Sequence, residues 1–335
     1  MRIFSGIQPT GRKHLGNYLG AIRQYVEGQD RGESIYCVVD LHAITVAYEP
    51  GELTSAVLDT TALLMASGLD PERCLLFRQS DVREHTELCW LLTTATPYGE
   101  LSRMHQFKEK SEQQRGLVSA GLFVYPILQA ADILAYRTDE VPVGEDQQQH
   151  LELARNIAER FNARFGETFV VPTHRIPAVA ARVMDLQAPE TKMSTTGGTP
   201  LGTVQVLEDP DDIRRKFKSA VTDSDREIVR GADKPGITNL IEIVAAARGI
   251  APGAVEKEYA GAAGYADFKR DAGEAVVELL TPVRERYERI RPDEARLGEV
   301  LAHGAEQARA IASETLELAR EHMGFRELRV SSDGT

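Results

Sequence analysis

His14, Gly16 and Asn17 carry the sharpest chemical signal in this chain, within the run Phe4-Ser5-Gly6-Ile7-Gln8-Pro9-Thr10-Gly11-Arg12-Lys13-His14-Leu15-Gly16-Asn17-Tyr18. An imidazole, an amide and a glycine that admits close backbone approach are the means of gripping a phosphate. An apolar run from Ile3 to Ile7 precedes them, Pro9 and Gly11 break it, and a helical pattern follows. A strand, a tight loop and a helix start are implied. In an open parallel sheet, the loop leaving a strand's carboxyl end faces the ligand crevice, and the next helix offers free N–H groups to an anion. A nucleotide phosphate is the obvious ligand. Taken alone, a loop histidine equally fits a helix cap or a solvent-exposed side chain.

The elements that must position this loop follow from the pattern of the first half. Strand-like runs at Arg2 to Ile7, Ser34 to Val39 and Cys74 to Phe77 alternate with helical patterns at Tyr18 to Gln29 and Leu53 to Ala66. This is the βαβ rhythm of a doubly wound parallel sheet. Val141 and Val143 mark another short strand. Asp146 to Phe165 reads as an amphipathic helix with Leu151, Ala154, Ile157, Phe161 and Phe165 on one face and Gly166 as its stop. From Asp209 onward, helices at Asp211 to Ala220, Ile237 to Ala247, Ala266 to Leu280 and Leu297 to Met323 replace strands. The fold class is α/β: a sheet domain over residues 1–200, a helical domain over 201–325 and a frayed polar tail over 326–335. The Thr- and Gly-rich loop from Thr191 to Pro200 lacks apolar periodicity and is expected to be mobile.

With 335 residues, 42% hydrophobic and 27% charged, the composition is that of an ordinary soluble globular protein. No apolar run approaches the roughly 20 residues that span a bilayer, so a cytoplasmic protein with no membrane partner is expected. Cys37, Cys74 and Cys89 form an odd set without CxxC spacing and read as reduced core thiols. The net charge of −12 argues against coating nucleic acid by bulk attraction. Local patches survive that argument: Arg214, Arg215, Lys216 and Lys218 fit either a phosphate-contacting surface or a solvated helix face.

Far downstream of His14-Leu15-Gly16-Asn17 stands Lys192-Met193-Ser194-Thr195-Thr196. In that order, around a parallel-sheet first half and a helical tail, the two segments resemble the ATP-binding signatures of class I aminoacyl-tRNA synthetases. Ser5 to Gly11, Gly16-Asn17-Tyr18, Gly144-Glu145-Asp146-Gln147 and Lys234-Pro235-Gly236-Ile237 are similar to the bacterial tryptophanyl branch, and the likeness runs from Met1 to about Gly324. Asn17 replaces the second histidine of the class signature, as tryptophanyl members commonly do. Thr195 stands where the family usually has a second lysine, which puts the loop's phosphate-binding power in question.

The resemblance implies a Rossmann-like catalytic domain binding ATP and tryptophan, followed by a helical domain for the tRNA anticodon. Tryptophan's carboxylate would attack the α-phosphate of ATP, giving tryptophanyl-adenylate and pyrophosphate, and tRNA(Trp) would then accept the aminoacyl group. The carboxylate is ionised at neutral pH and needs no base. Positioning and positive charge beside the leaving phosphates are what the step requires. His14, Asn17, Lys110, Lys192 and Ser194 are the implied catalytic set. Gln8, Pro9, Thr10, Gly16, Gly144, Glu145, Asp146, Val183, Met193, Thr195 and Thr196 complete the nucleotide site. Lys110 equally reads as an exposed lysine in a charged loop. Asp132 sits where the family places its acceptor for the indole N–H, although alone it would read as a helix-surface acid. Phe4, Ile133 and Val143 would pack the ring, with Tyr125, Gln147 and His42 near the ammonium and carboxylate. Mg²⁺ is expected to arrive on ATP, not on a protein cage. A homodimer is implied by the family.

Gln129 leaves a second substrate open, since Tyr125, Gln129 and Asp132 at this spacing also resemble a tyrosyl-tRNA synthetase pocket. A third reading is a catalytically weakened tRNA-binding or regulatory relative, for which Thr195 is the main argument.

Overall fold

The computed structural model describes residues 1–104, 118–142, 144, 147–175, 182–195 and 197–325. Five parallel strands, β1 (Arg2–Ile7), β2 (Glu33–Val38), β3 (Cys74–Arg78), β4 (Glu140–Pro142) and β5 (Thr173–Arg175), form one sheet in the order β3-β2-β1-β4-β5. β1 pairs with β2 along its whole length, from Arg2 opposite Glu33 to Ile7 opposite Val38. On its other side β1 meets β4 in register only at Ile3 and Glu140. The strand order reverses between β1 and β4, so their carboxyl ends open into the crevice where such folds bind ligands.

The first four strands lie where the hydrophobic runs place them. β5 does not show in the sequence pattern, because Thr173-His174-Arg175 is a polar edge strand with no buried face to leave an apolar signature. The helix expected over Tyr18 to Gln29 starts earlier, as α1 (Leu15–Asn17). It passes through a π turn at Tyr18–Ile22 and continues as α2 (Arg23–Gly28). Next come α3 (Asp40–Ala43), α4 (Pro50–Ser67), α5 (Glu84–Ala95), α6 (Tyr98–Leu101), α7 (Ala120–Leu134) and α8 (Gln148–Phe165). α8 ends at Gly166 with φ 122°, the conformation that favours glycine.

After residue 207 the described chain is helical: α9 (Pro210–Lys218), α10 (Pro235–Arg248), α11 (Pro252–Glu258), α12 (Tyr265–Ile290) and α13 (Glu294–His322). One apolar cluster joins Leu15, Leu19, Val38 and Leu76 to Phe217, Ile241, Phe268 and Val276, so α9, α10 and α12 share a core with one side of the sheet. A second cluster, with Phe4, Phe77, Ile133, Leu151 and Phe161, fills the other side. α13 returns to β3 so closely that a Cβ on Gly304 would stand 2.1 Å from the Leu76 carbonyl oxygen. Cys37 and Cys74 are buried and all three cysteines are unpaired thiols. Among the described residues no helix is long and apolar enough to cross a membrane.

Candidate active site

The loop leaving β1 is built around His14. Its Nδ1 accepts the Gly16 N–H at 3.1 Å, while its backbone N–H donates to Asn17 Oδ1 at 3.0 Å, closing a reciprocal cap on α1. The cap fixes two donors. His14 must carry its ring proton on Nε2, and Asn17 keeps its Nδ2 end for an acceptor. Burial, then the charges of Lys192 and Lys13, lower the imidazole pKa to about 4, so His14 is a neutral donor. A Cβ on Gly16 would come within 3.0 Å of His14 Cε1, and the ring holds its place because that atom is missing.

The helix start does not offer the free N–H groups expected of it. Leu15 N–H donates to the Val204 carbonyl at 2.8 Å, Gly16 N–H is held by His14, and the Asn17 and Tyr18 N–H groups return to the His14 carbonyl. An antiparallel bridge between His14 and Gln205, with Val206 N–H bonded to the Lys13 carbonyl, makes this capping a tertiary contact. Any anion here must be held by side chains.

The second signature lies alongside the first, Thr195 Oγ1 donating to the Arg12 carbonyl. Lys192 pairs antiparallel with Met184, and Met193 N–H donates to the Val183 carbonyl at 3.0 Å. The Met193 side chain is buried in the cluster that contains Leu15, Val183 and Val204. The Thr191 to Pro200 loop, expected to be mobile, therefore has a firmly bonded base. Asp185, 1% exposed, accepts N–H groups from Gln187, Ala188 and Thr199, and a Cβ on Gly202 would fall 1.7 Å from its Oδ1. Asn239 of α10 clamps Met184 by two bonds, Met184 N–H to Oδ1 at 2.9 Å and Nδ2 to the Met184 carbonyl at 3.0 Å. Thr203 Oγ1 donates to the Ser194 carbonyl at 2.9 Å, and Ser194 Oγ accepts the Gly197 N–H.

Asp132 projects from α7 into the protein, not onto a helix surface, and is 1% exposed. Its Oδ2 accepts from His42 Nε2 at 2.8 Å and its Oδ1 from His85 Nδ1 at 2.6 Å, while Gln79 Nε2 reaches both oxygens at 2.7 and 2.9 Å. Burial alone would raise this carboxyl's pKa, but the bonds from the two histidines outweigh it and hold the group well below the usual carboxylate range. It is a permanent buried anion. Tyr136 lies behind His85, hydroxyl to Nε2 at 2.5 Å, and stacks on Phe4 at 5.4 Å between centroids. Phe4 and Ile133 are buried in the apolar cluster beneath the carboxylate. Tyr125 bonds His150 Nε2 at 2.9 Å and packs edge-on to His42, and Gln129 Nε2 faces Gln147 Oε1 at 3.5 Å.

The structure thus groups His14, Gly16, Asn17, Val183, Lys192, Met193, Ser194 and Thr195 on one wall, with Gln8, Pro9 and Thr10 on the same loop. His42 bonds the buried Asp132 and packs on Tyr125, and Gln129 and Gln147 face each other. Gly144 accepts the Gln147 N–H at the start of α8. Lys110, Val143, Glu145, Asp146 and Thr196 lie outside the described residues. Gln79, His85, Tyr136, His150, Asp185, Thr203 and Asn239 escaped the sequence reading, since each is a single residue whose partner is distant in the chain. The basic cluster on α9 is corrected in part: Lys216 is 6% exposed, donates to the Thr203 carbonyl and pairs with Glu208. Arg214 and Arg215 are exposed but paired, with Glu274 and Asp211 and with Asp212.

A parallel sheet with a switch-point crevice, a capped loop on one wall and a second loop bonded to it is the arrangement of a nucleotide-binding α/β protein. The family model for tRNA synthetases class I (W and Y) matches residues 1–281, and the chain belongs to that family. It is 50% identical over 327 residues, 97% of each chain, to tryptophan–tRNA ligase 2 of Streptomyces avermitilis. Among solved structures, the tryptophanyl-tRNA synthetase of Mycoplasma pneumoniae superposes with a TM-score of 0.89 at 35% identity, covering 96% of this chain and 97% of that one. The Campylobacter jejuni tryptophanyl-tRNA synthetase complexed with ADP and tryptophan gives 0.80 at 34% identity, covering 97% and 100%.

Proposed function

We propose that this chain is a tryptophan–tRNA ligase that activates tryptophan with ATP and transfers it to the 3′ end of tRNA(Trp). The observation that carries the reading is the meeting of the two signature segments after β1, where Thr195 Oγ1 donates to the Arg12 carbonyl at 3.3 Å beside the antiparallel bridge between His14 and Gln205. One segment supplies a neutral imidazole and an amide, the other an ammonium. These groups need not create a nucleophile, because the amino-acid carboxylate is one already. They fix the triphosphate and meet the charge that gathers on the departing pyrophosphate. Mg²⁺ enters on the ATP phosphates.

Across the crevice, Asp132 is the acceptor for the indole N–H, with Phe4 and Ile133 beneath the ring and His42, Tyr125 and Gln147 toward the ammonium and carboxylate. A buried ionised acceptor discriminates strongly against rings lacking the donor. Residues 1–200 carry activation and 201–325 the contacts to the tRNA anticodon. A cytoplasmic homodimer is the working form; Trp90 and Tyr98, 67% and 75% exposed, are large side chains a second copy would cover.

Amino-acid-dependent exchange of pyrophosphate into ATP tests the reading. Exchange with tryptophan and none with tyrosine is expected. Exchange with tyrosine alone, or with neither, overturns it.

A further inference from the structure

Lys13 lies between Gly11 and His14, outside both signature segments. Its Nζ donates to the carbonyls of Gln8 and Thr10, each at 2.8 Å, and reaches that of Gly11 at 3.4 Å. The ammonium thereby ties the loop leaving β1 into a ring. Three carbonyl oxygens that would otherwise turn negative dipoles toward the crevice point at a cation. Among the described residues no carboxylate lies within ion-pairing distance of it, so no ion pair offsets its charge. Burial depresses its pKa to about 8, which marks an ammonium poorly reached by water.

That charge matters because the backbone donors at this wall are spent. The N–H groups of Leu15, Gly16, Asn17 and Tyr18 are all bonded within the protein. His14 is neutral, and Thr195 brings a hydroxyl, not an ammonium. Lys13 and Lys192 both stand near enough to help lower the His14 pKa.

We propose that Lys13 is a positioning residue of the ATP site, holding the Gln8–Gly11 loop closed and adding its positive charge to that of Lys192 where the triphosphate is received. The inference rests on the ATP-dependent activation argued above. The charged and titratable groups around Lys13 are Arg12 and His14 on its own segment, Lys192 on the second signature, and Glu208 and Lys216 beyond Val206. Glu208 is already engaged with Lys216 and with the Gln205 N–H.

The test is tryptophan-dependent pyrophosphate exchange in the wild type, Lys13→Met and Lys13→Arg, with kcat/KM for ATP followed across pH. A wild type without exchange refutes the activation reading itself, before Lys13 is in question. Given exchange, kcat/KM for ATP in the wild type is expected to fall as pH rises through about 8, where the free ammonium loses its proton. Lys13→Met is expected to raise KM for ATP by about 10-fold or more while leaving KM for tryptophan within about 2-fold, and to flatten the alkaline limb. Lys13→Arg, which stays charged, is expected to keep a low KM for ATP and to extend the plateau beyond the wild-type limb. A wild-type KM for ATP in Lys13→Met, or a wild-type alkaline limb in either variant, overturns the proposal. Should Lys13→Met fail to fold, the pH profile of Lys13→Arg decides.

Discussion

Thr195 Oγ1 donates to the Arg12 carbonyl at 3.3 Å, so the residue at the family's second-lysine position latches the second signature onto the first. A hydroxyl binds a carbonyl well but brings no charge to a phosphate. Thr195→Lys exchanges the latch for an ammonium at the crevice mouth. Faster activation is expected, by about 10-fold, since one well-placed donor to a developing phosphate charge is worth that much or more. Single-turnover adenylate formation measures it, and an unchanged rate refutes the role given to charge at this position.

His14 makes acid stability a probe of the cap. The unfolded chain binds the imidazole proton below about pH 6.5, whereas the folded protein resists it until about pH 4, owing to burial and the two lysines. The unfolded state therefore holds more protons across that window. The stability linked to His14 is full above pH 6.5 and is lost as pH falls toward 4. Asparagine can keep the cap without titrating. His14→Asn is expected to remove roughly 2 kcal/mol of the drop in unfolding free energy between pH 7 and pH 4, as followed by urea denaturation. An identical pH dependence in the variant contradicts the assignment.

What could be read from the sequence and what could not divide along locality. His14, Asn17 and Lys192 stand out because short contiguous motifs carry their chemistry, and β1 to β3 because buried parallel strands are uniformly apolar. The helix start at Leu15 departs from its sequence pattern for the same reason. Whether its N–H groups are free depends on Val204, almost two hundred residues away, and no local pattern records that contact. Asp185 is invisible for a similar cause: one acid in an apolar run gains its meaning from Thr199 and from the absent side chain of Gly202. Asp132 looks like a surface acid until the fold brings His42, Gln79 and His85 to it from three other elements.

That convergence makes His85 a stability residue with a functional signature. Removing it strips one donor from a buried carboxylate and leaves the Tyr136 hydroxyl without its partner, a loss of about 3–5 kcal/mol by analogy with broken buried ion pairs. His85→Gln returns an N–H to Asp132 and is expected to recover part of the melting temperature. Asp132→Ala should instead raise KM for tryptophan on the order of 100-fold or more, with KM for ATP little altered. Equal effects on the two Michaelis constants would count against Asp132 as the ring acceptor.

Lys192 allows the two walls of the crevice to be separated in one variant. Its backbone is held by the bridge to Met184 and its neighbour Met193 is buried, so shortening the side chain leaves the loop in place. Its charge already reaches the first signature, since it helps to lower the His14 pKa. Lys192→Ala therefore removes positive charge from the pyrophosphate path while leaving the Asp132 pocket intact. Activation should lose about 2–4 kcal/mol of transition-state stabilisation, the usual cost of one preorganised charge-stabilising donor. Tryptophan affinity, measured by equilibrium binding without ATP, should stay at the wild-type value. If tryptophan binding weakens in step with the rate, Lys192 acts on the fold of the crevice and not on the phosphates.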